Sequence, residues 1–198
     1  MATDTLRLAQ QKLNIENEGK YVFIVPTKAL IEISRLIEDE IEIKVSVSER
    51  QASFKIGDTV VISRLLEGKF PNYKQVIPNS FLGGFTVKTS DILDATNRTM
   101  LISSSEQHTP KTRVFLNGKL QLLAESNAGK ILEEIPADIE GLNGEELVTF
   151  LNSKFLMDCL KVSDFEKLSF SFTGPLTPCM VKPDDDDSYF SIMVPLKE

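Results

Sequence analysis

Tyr21-Val-Phe-Ile-Val-Pro-Thr27-Lys-Ala-Leu-Ile-Glu-Ile33 is the first of three similar stretches. Gly84-Phe-Thr-Val-Lys-Thr89-Ser-Asp-Ile-Leu-Asp-Ala95 and Leu147-Val-Thr-Phe-Leu-Asn152-Ser-Lys-Phe-Leu-Met-Asp158 follow it. Each is a short alternating apolar run that meets Thr or Asn, a good helix N-cap, and then an apolar-striped helix. The pattern returns at a period of about 63 positions, and strands follow each helix, closing on apolar stretches with proline: Leu65 to Pro71, Ile131 to Pro136 and Ile192 to Pro195. The fold is therefore α+β, assembled from a β-α-β-β-β unit used repeatedly. Such a unit cannot bury its sheet alone and needs a copy of itself.

Working outward, a turn and a strand are expected within 2–16, a strand at 20–26 and a helix at 27–38. The alternation of Ile41-Glu-Ile-Lys-Val-Ser-Val47 predicts strands at 41–47, 51–56 and 59–66, each with one dry face. Gly57-Asp58 reads as a hairpin, and Asn117-Gly118 as a two-residue type I′ turn. The second unit carries a helix at 89–101. The third carries a helix at 152–161 and strands at 166–173, 177–182 and 188–195. Leu66 to Pro78, with two prolines and a glycine, breaks the alternation and is the best linker. The division is 1–78, one unopposed unit, and 79–198, a complete domain of two units.

Composition narrows the function. Of 198 residues, 41% are hydrophobic and 26% charged, enough for ordinary cores and a solvated surface. No apolar run is long enough to span a bilayer and no leader opens the chain, so a cytoplasmic location is expected. Cys159 and Cys179 lie in apolar patterns and read as core residues. A single histidine, His108, cannot build a His-based metal site or a catalytic triad. Glu133-Glu134 and Glu145-Glu146 are adjacent, so along a strand their side chains would face opposite ways, a poor carboxylate dyad. There is no glycine-rich phosphate loop and no Gly-x-Ser-x-Gly elbow. Asp184-Asp-Asp-Asp187 lacks the spacing and glycine of a calcium loop and reads as a hairpin tip. No cofactor, metal or catalytic residue is expected. The net charge of −7 argues against a uniformly basic nucleic-acid binder but leaves room for positive charge gathered on one face.

Ala2-Thr-Asp-Thr-Leu-Arg-Leu-Ala9, Ser63-Arg-Leu-Leu-Glu-Gly-Lys-Phe-Pro-Asn-Tyr73, Gln75-Val-Ile-Pro78, Phe172-Thr-Gly-Pro-Leu-Thr-Pro-Cys179, Asp184–Asp187 and Met193-Val-Pro-Leu-Lys197 occur in that order. Together they resemble the bacterial DNA sliding clamp, the beta subunit of DNA polymerase III. The resemblance implies the DNA-clamp fold, with helices on one face of antiparallel sheets, and a non-catalytic replication processivity factor. Family members form a ring of three-domain subunits around duplex DNA. They capture short peptides of the polymerase, clamp loader and repair proteins between the second and third domains.

Carried onto this sequence, the peptide site would comprise Thr3, Thr5, Leu6, Arg7 and Leu8; Pro71, Gln75 and Val76; Asn152, Phe155 and Pro178; and Ile192, Val194, Pro195, Leu196 and Lys197. Two departures stand out: Thr5 where the family often has Gly, and Leu6 where it often has His. The helices would present Lys28, Arg35, Arg98, Lys154 and Lys161 to DNA phosphates. By the same resemblance the chain starts inside the family's second domain. Ring closure, through the edge near Ile102 and Ser103, is then expected to be impaired. The alternative function is an interaction module that does not encircle DNA; for residues 1–78 the sequence leaves open a homodimer, partial disorder of 1–60 in a monomer, or packing against 79–198. A bacterial, nucleoid-associated cytoplasmic setting is implied.

Overall fold

The computed structural model describes residues 1–15, 19–37, 42–78, 80–103, 111–142 and 145–197. In chain order these form β1 (Ala2–Thr3), β2 (Arg7–Gln11), α1 (Thr27–Leu36), β3 (Ile43–Val47), β4 (Gln51–Ile56) and β5 (Thr59–Arg64). The second repeat supplies β6 (Gly83–Lys88), α2 (Thr89–Ser103), β7 (Lys111–Leu116), β8 (Leu120–Ser126) and β9 (Gly129–Ile135), with β10 (Ala137–Gly141) after it. The third supplies β11 (Leu147–Asn152), α3 (Ser153–Lys161), β12 (Lys167–Phe172), β13 (Cys179–Pro183) and β14 (Tyr189–Met193). Packing separates two units, 1–14 with 73–198, and 15–72. Chain order and packing thus group the first fourteen residues differently.

In the larger unit the second and third repeats exchange their first strands. Strand β11 of the third repeat pairs with β7, giving a sheet ordered β11-β7-β8-β9. Strand β6 of the second repeat pairs with β12, in a sheet ordered β1-β2-β14-β13-β12-β6-β10. Their inward residues meet in one core that includes Phe85, Val114, Leu116, Phe170 and Phe172, with Ile92 of α2 and Leu156 of α3. Phe85 stacks on Phe170 with ring centroids 4.6 Å apart. Beside them only glycine fits at Gly84, since a Cβ there would meet the Phe170 carbonyl oxygen at 2.0 Å. Each sheet is closed by a strand of the other repeat, as expected of units that pair.

The 15–72 unit holds a single repeat. Its sheet is ordered β3-β4-β5. Ile33 of α1 packs on Ala52, Phe54 and Ile56, with Val25, Ile43, Val47, Val61 and Leu65 around them. The strand expected at 20–26 does not form; its described backbone link is Leu66 N–H to Ile24 O at 2.8 Å. Alternation selects the inward side chains, but a strand also needs a ladder partner, and among the described residues no strand pairs with 20–26.

Other local expectations shift for local reasons. Helix α1 begins at Thr27 after Pro26, with no side-chain cap, and Thr89 is likewise the first helical residue rather than a cap. The Thr89 hydroxyl instead donates to Phe165 O at 2.6 Å. Asn152 is a true cap, accepting from the N–H groups of Lys154 (2.9 Å) and Phe155 (3.3 Å). The Asn117-Gly118 hairpin is not a two-residue type I′ turn. Leu116 pairs with Leu120, leaving a three-residue loop in which Gly118 alone has positive φ, 81°. The helix expected at 27–38 ends at Leu36, where Ile37 is already extended; His108 and Glu38 fall outside the described residues.

Candidate functional site

The site is built where the start of the chain meets its end. Strand β2 pairs with β14, setting Leu8 opposite Ile192 and Arg7 opposite Met193. The β1–β2 turn is held tightly. The Asp4 carboxylate accepts the N–H groups of Leu6 (3.1 Å) and Arg7 (3.0 Å), and the Thr3 hydroxyl donates to Arg7 O at 2.8 Å. Closing this turn puts Thr5 at φ 77°, the left-handed region that a β-branched residue resists. A glycine there would be unstrained.

The turn presents Leu6 outward, 49% exposed. Below it, Leu8, Phe190 and Ile192 form a small cluster on which Tyr73, Ile77 and Met180 pack. Leu8 and Ile192 are buried and form the floor of this strip. Gln75 and Val76 are exposed beside that cluster, between Tyr73 and Ile77.

The C-terminal segment then leaves β14 and links the two sheets. Val194 N–H donates to Leu6 O at 2.9 Å, and Leu196 N–H to Phe150 O at 2.7 Å. Between these bonds Pro195 and Leu196 are half-buried and Val194 is open. Lys197 is exposed, its carbonyl accepting from Lys111 Nζ at 3.1 Å. Pro178 is half-buried before β13. Pro71 is exposed and belongs to the 15–72 unit.

Arg7 organises the polar side. Its guanidinium lies 4.3 Å from the centroid of the Phe155 ring, donates to Asp158 Oδ2 at 2.7 Å and to Asp4 Oδ2 at 2.9 Å. Burial alone would raise the Asp4 carboxyl, but hydrogen bonds from the Arg7 side chain and from the turn N–H groups hold it below its usual value. Sequence reasoning missed Asp4 and Asp158; an Asp directly before Thr5-Leu6, placed to accept the N–H two residues on, was the available signal for the first. The rest is an apolar cleft with a few fixed polar groups, suited to holding side chains of an extended ligand rather than to bond-breaking chemistry.

The basic residues are less uniform than the sequence suggested. Arg98 forms a two-pronged pair with Glu133 at 2.8 and 2.7 Å, and Arg35 pairs with Glu32 at 2.7 Å. Lys28, Lys154 and Lys161 are exposed. Glu134, the neighbour of Glu133, pairs with Lys119, so the two carboxylates do point apart. Among the described residues no cluster of His, Cys, Asp and Glu has the makings of a metal site. Both cysteines are buried, and burial raises both thiols. No helix of the described residues is long and apolar enough to cross a membrane.

A family profile described as the DNA polymerase III beta subunit, central domain, matches residues 1–72, and that of the C-terminal domain of the same subunit matches 74–197. The chain belongs to the DNA polymerase III beta subunit family. It is 32% identical over 203 residues to the beta sliding clamp of Halalkalibacterium halodurans, covering 99% of this chain and 53% of the relative. The beta sliding clamp of Bacillus subtilis is 29% identical over 201 residues, with coverage of 99% and 53%. The crystal structure of the Bacillus subtilis clamp superposes with a TM-score of 0.90 at 29% identity, covering 100% of this chain and 53% of that one. That of the Pseudomonas aeruginosa clamp bound to griselimycin superposes with a TM-score of 0.86 at 26% identity, covering 100% and 53%. The chain thus spans about half the length of the curated relatives it matches.

Proposed function

We propose that this chain is a non-catalytic sliding-clamp component of DNA replication that captures short peptides of polymerase III, the clamp loader and repair proteins. The observation that supports this best is the junction of Leu6 with Val194, a partly exposed apolar strip over the Leu8–Ile192 floor, flanked by Arg7 on Phe155. Thr3, Thr5, Leu6, Arg7, Gln75, Val76, Asn152, Phe155, Pro178, Val194, Pro195, Leu196 and Lys197 carry the site. The setting is the bacterial cytoplasm, at the nucleoid. A peptide of the Gln-Leu-x-Leu-Phe type binds with micromolar affinity, on the order of −7 to −8 kcal/mol. Titration calorimetry checks this; silence at millimolar peptide overturns it. Removing Leu196–Glu198 weakens binding by more than about 1 kcal/mol, since it deletes one wall of the cleft.

DNA contact would be through phosphates, from Lys28, Arg35, Arg98, Lys154 and Lys161, with strong salt dependence. A second reading, a peptide-binding module without a grip on DNA, is favoured by the pairing of Arg98 to Glu133 and of Arg35 to Glu32, which reduces the charge available to phosphates. Retention on circular DNA at physiological salt separates the two readings.

A further inference from the structure

The outward face of the seven-stranded sheet changes character along one row of paired residues. Leu8 lies opposite Ile192, Ile192 opposite Met180, Met180 opposite Ser171, Ser171 opposite Gly84, and Gly84 opposite Glu140. Leu8, Ile192 and Met180 belong to the apolar cluster under the cleft. Beyond Met180 the side chains shorten to serine and glycine, and a trough of about 420 Å3 opens over them. Phe81 and Leu82 wall it, 44% and 47% exposed, and Glu140 and Asp184 are exposed at its rim. One short stretch of chain borders both places, since Tyr73 and Ile77, just before that wall, pack on the cleft cluster. The residues lining the trough lie within 81–184, inside the 74–197 stretch matched as a single C-terminal domain.

The hydroxyls on the trough floor are polarised in one direction. Ser169 donates to Asp184 Oδ1 at 3.1 Å, and a hydroxyl has a single proton to give. The 2.8 Å contact between Thr86 and Ser169 is therefore donated by Thr86, which spends that proton too. Both hydroxyls are left presenting lone pairs. With the Glu140 and Asp184 carboxylates beside them, the floor accepts hydrogen bonds and carries negative charge. Lys182, the cation among the described lining residues, turns its Nζ toward Asp187 at 3.4 Å. Lys88 and Lys167 face each other two residues further along β6 and β12, outside the lining. Such a surface takes a cationic donor. A guanidinium, all donors and no acceptor, suits it best, with its aliphatic stem along Phe81 and Leu82. We propose that the trough is a second docking point for the proteins whose peptides enter the cleft, and that it holds an arginine flanking their apolar anchors. This rests on the peptide-capture reading. From Ile192 to Gly84 is three inter-strand steps, about 14 Å, which an extended chain covers in about five residues. The arginine therefore lies outside the anchor motif, in a flanking segment.

Titration calorimetry compares the bare Gln-Leu-x-Leu-Phe peptide with versions carrying Arg-Arg or Gln-Gln about five residues before or after the motif. In one of the two flanks the arginine version binds about threefold tighter than its glutamine counterpart, the gain expected of partly exposed charge pairs. Glu140→Gln with Asp184→Asn removes that gain and leaves the affinity of the bare peptide unchanged, because neither residue belongs to the cleft. Ser171→Arg, which fills the trough with a guanidinium of its own, does the same. Equal affinities of the arginine and glutamine versions in both flanks overturn the proposal. So does a gain that survives both variants, since the second contact is then elsewhere. Binding of the bare peptide without any arginine gain overturns this proposal alone; silence of every peptide overturns the capture reading and this proposal with it.

Discussion

The 15–72 unit and its larger neighbour are built from the same repeat, yet only one has a full core. Two repeats that exchange strands bury Ile92, Leu116, Leu122, Leu156, Phe170 and Phe172 to 1% exposure or less. One repeat alone brings Ile33, Ala52, Phe54 and Ile56 together and leaves its helix half bare. The local sequence patterns are comparable; the difference is the presence of a partner. A repeat of this size specifies an amphipathic helix and a one-sided sheet, and stability comes when the two apolar faces of two copies meet.

The largest effect expected from this contrast compares Leu156→Ala with Leu30→Ala. At Leu156 truncation leaves a cavity in a closed core and costs about 2–5 kcal/mol. At Leu30, under dilute conditions, it costs less than about 0.5 kcal/mol, because the side chain is already wet. Urea unfolding measures both, and similar losses would break the comparison. A smaller effect sharpens it within the larger unit. Thr5→Gly removes the strain of a β-branched residue at φ 77° and stabilises that unit by about 1 kcal/mol, while leaving hydrogen-exchange protection of 43–64 unchanged. Smallest is the pH response of the turn. The Asp4 carboxyl sits below its ordinary value of 3.8 when folded, so its contribution is present above about pH 4 and is lost as pH falls through the lowered value. With both partners of the Arg7–Asp4 pair partly exposed, this shows as an early loosening of residues 3–7 by NMR, ahead of any change in 15–72.

Much of the architecture was legible in the chain. The returning apolar run and helix announced a repeat, and each repeat's alternation announced which strand faces are dry, because burial on one side of a pleated strand imposes period two. Thr3, Leu6, Arg7 and the Met193–Lys197 segment were visible as motifs. What was not legible is that Leu8 and Ile192 would be floor, that Asp4 and Asp158 would hold Arg7, and that Arg98 would be committed to Glu133. The floor and the Arg7–Asp158 tie depend on elements that become neighbours across well over a hundred residues, as β2 and β14 do, and Arg98 meets Glu133, 35 residues on, only because α2 packs on β9.

The sequence by itself determined the repeat and most of the secondary structure of its second and third copies, because those follow from local periodicity and turn chemistry. Tertiary structure alone decided that the pre-helix strands cross between repeats, that 20–26 stays without a ladder partner, and that the two chain ends join at Leu6 and Val194. A strand's hydrogen bonds are made with something other than itself, so no pattern within the strand can say where they go.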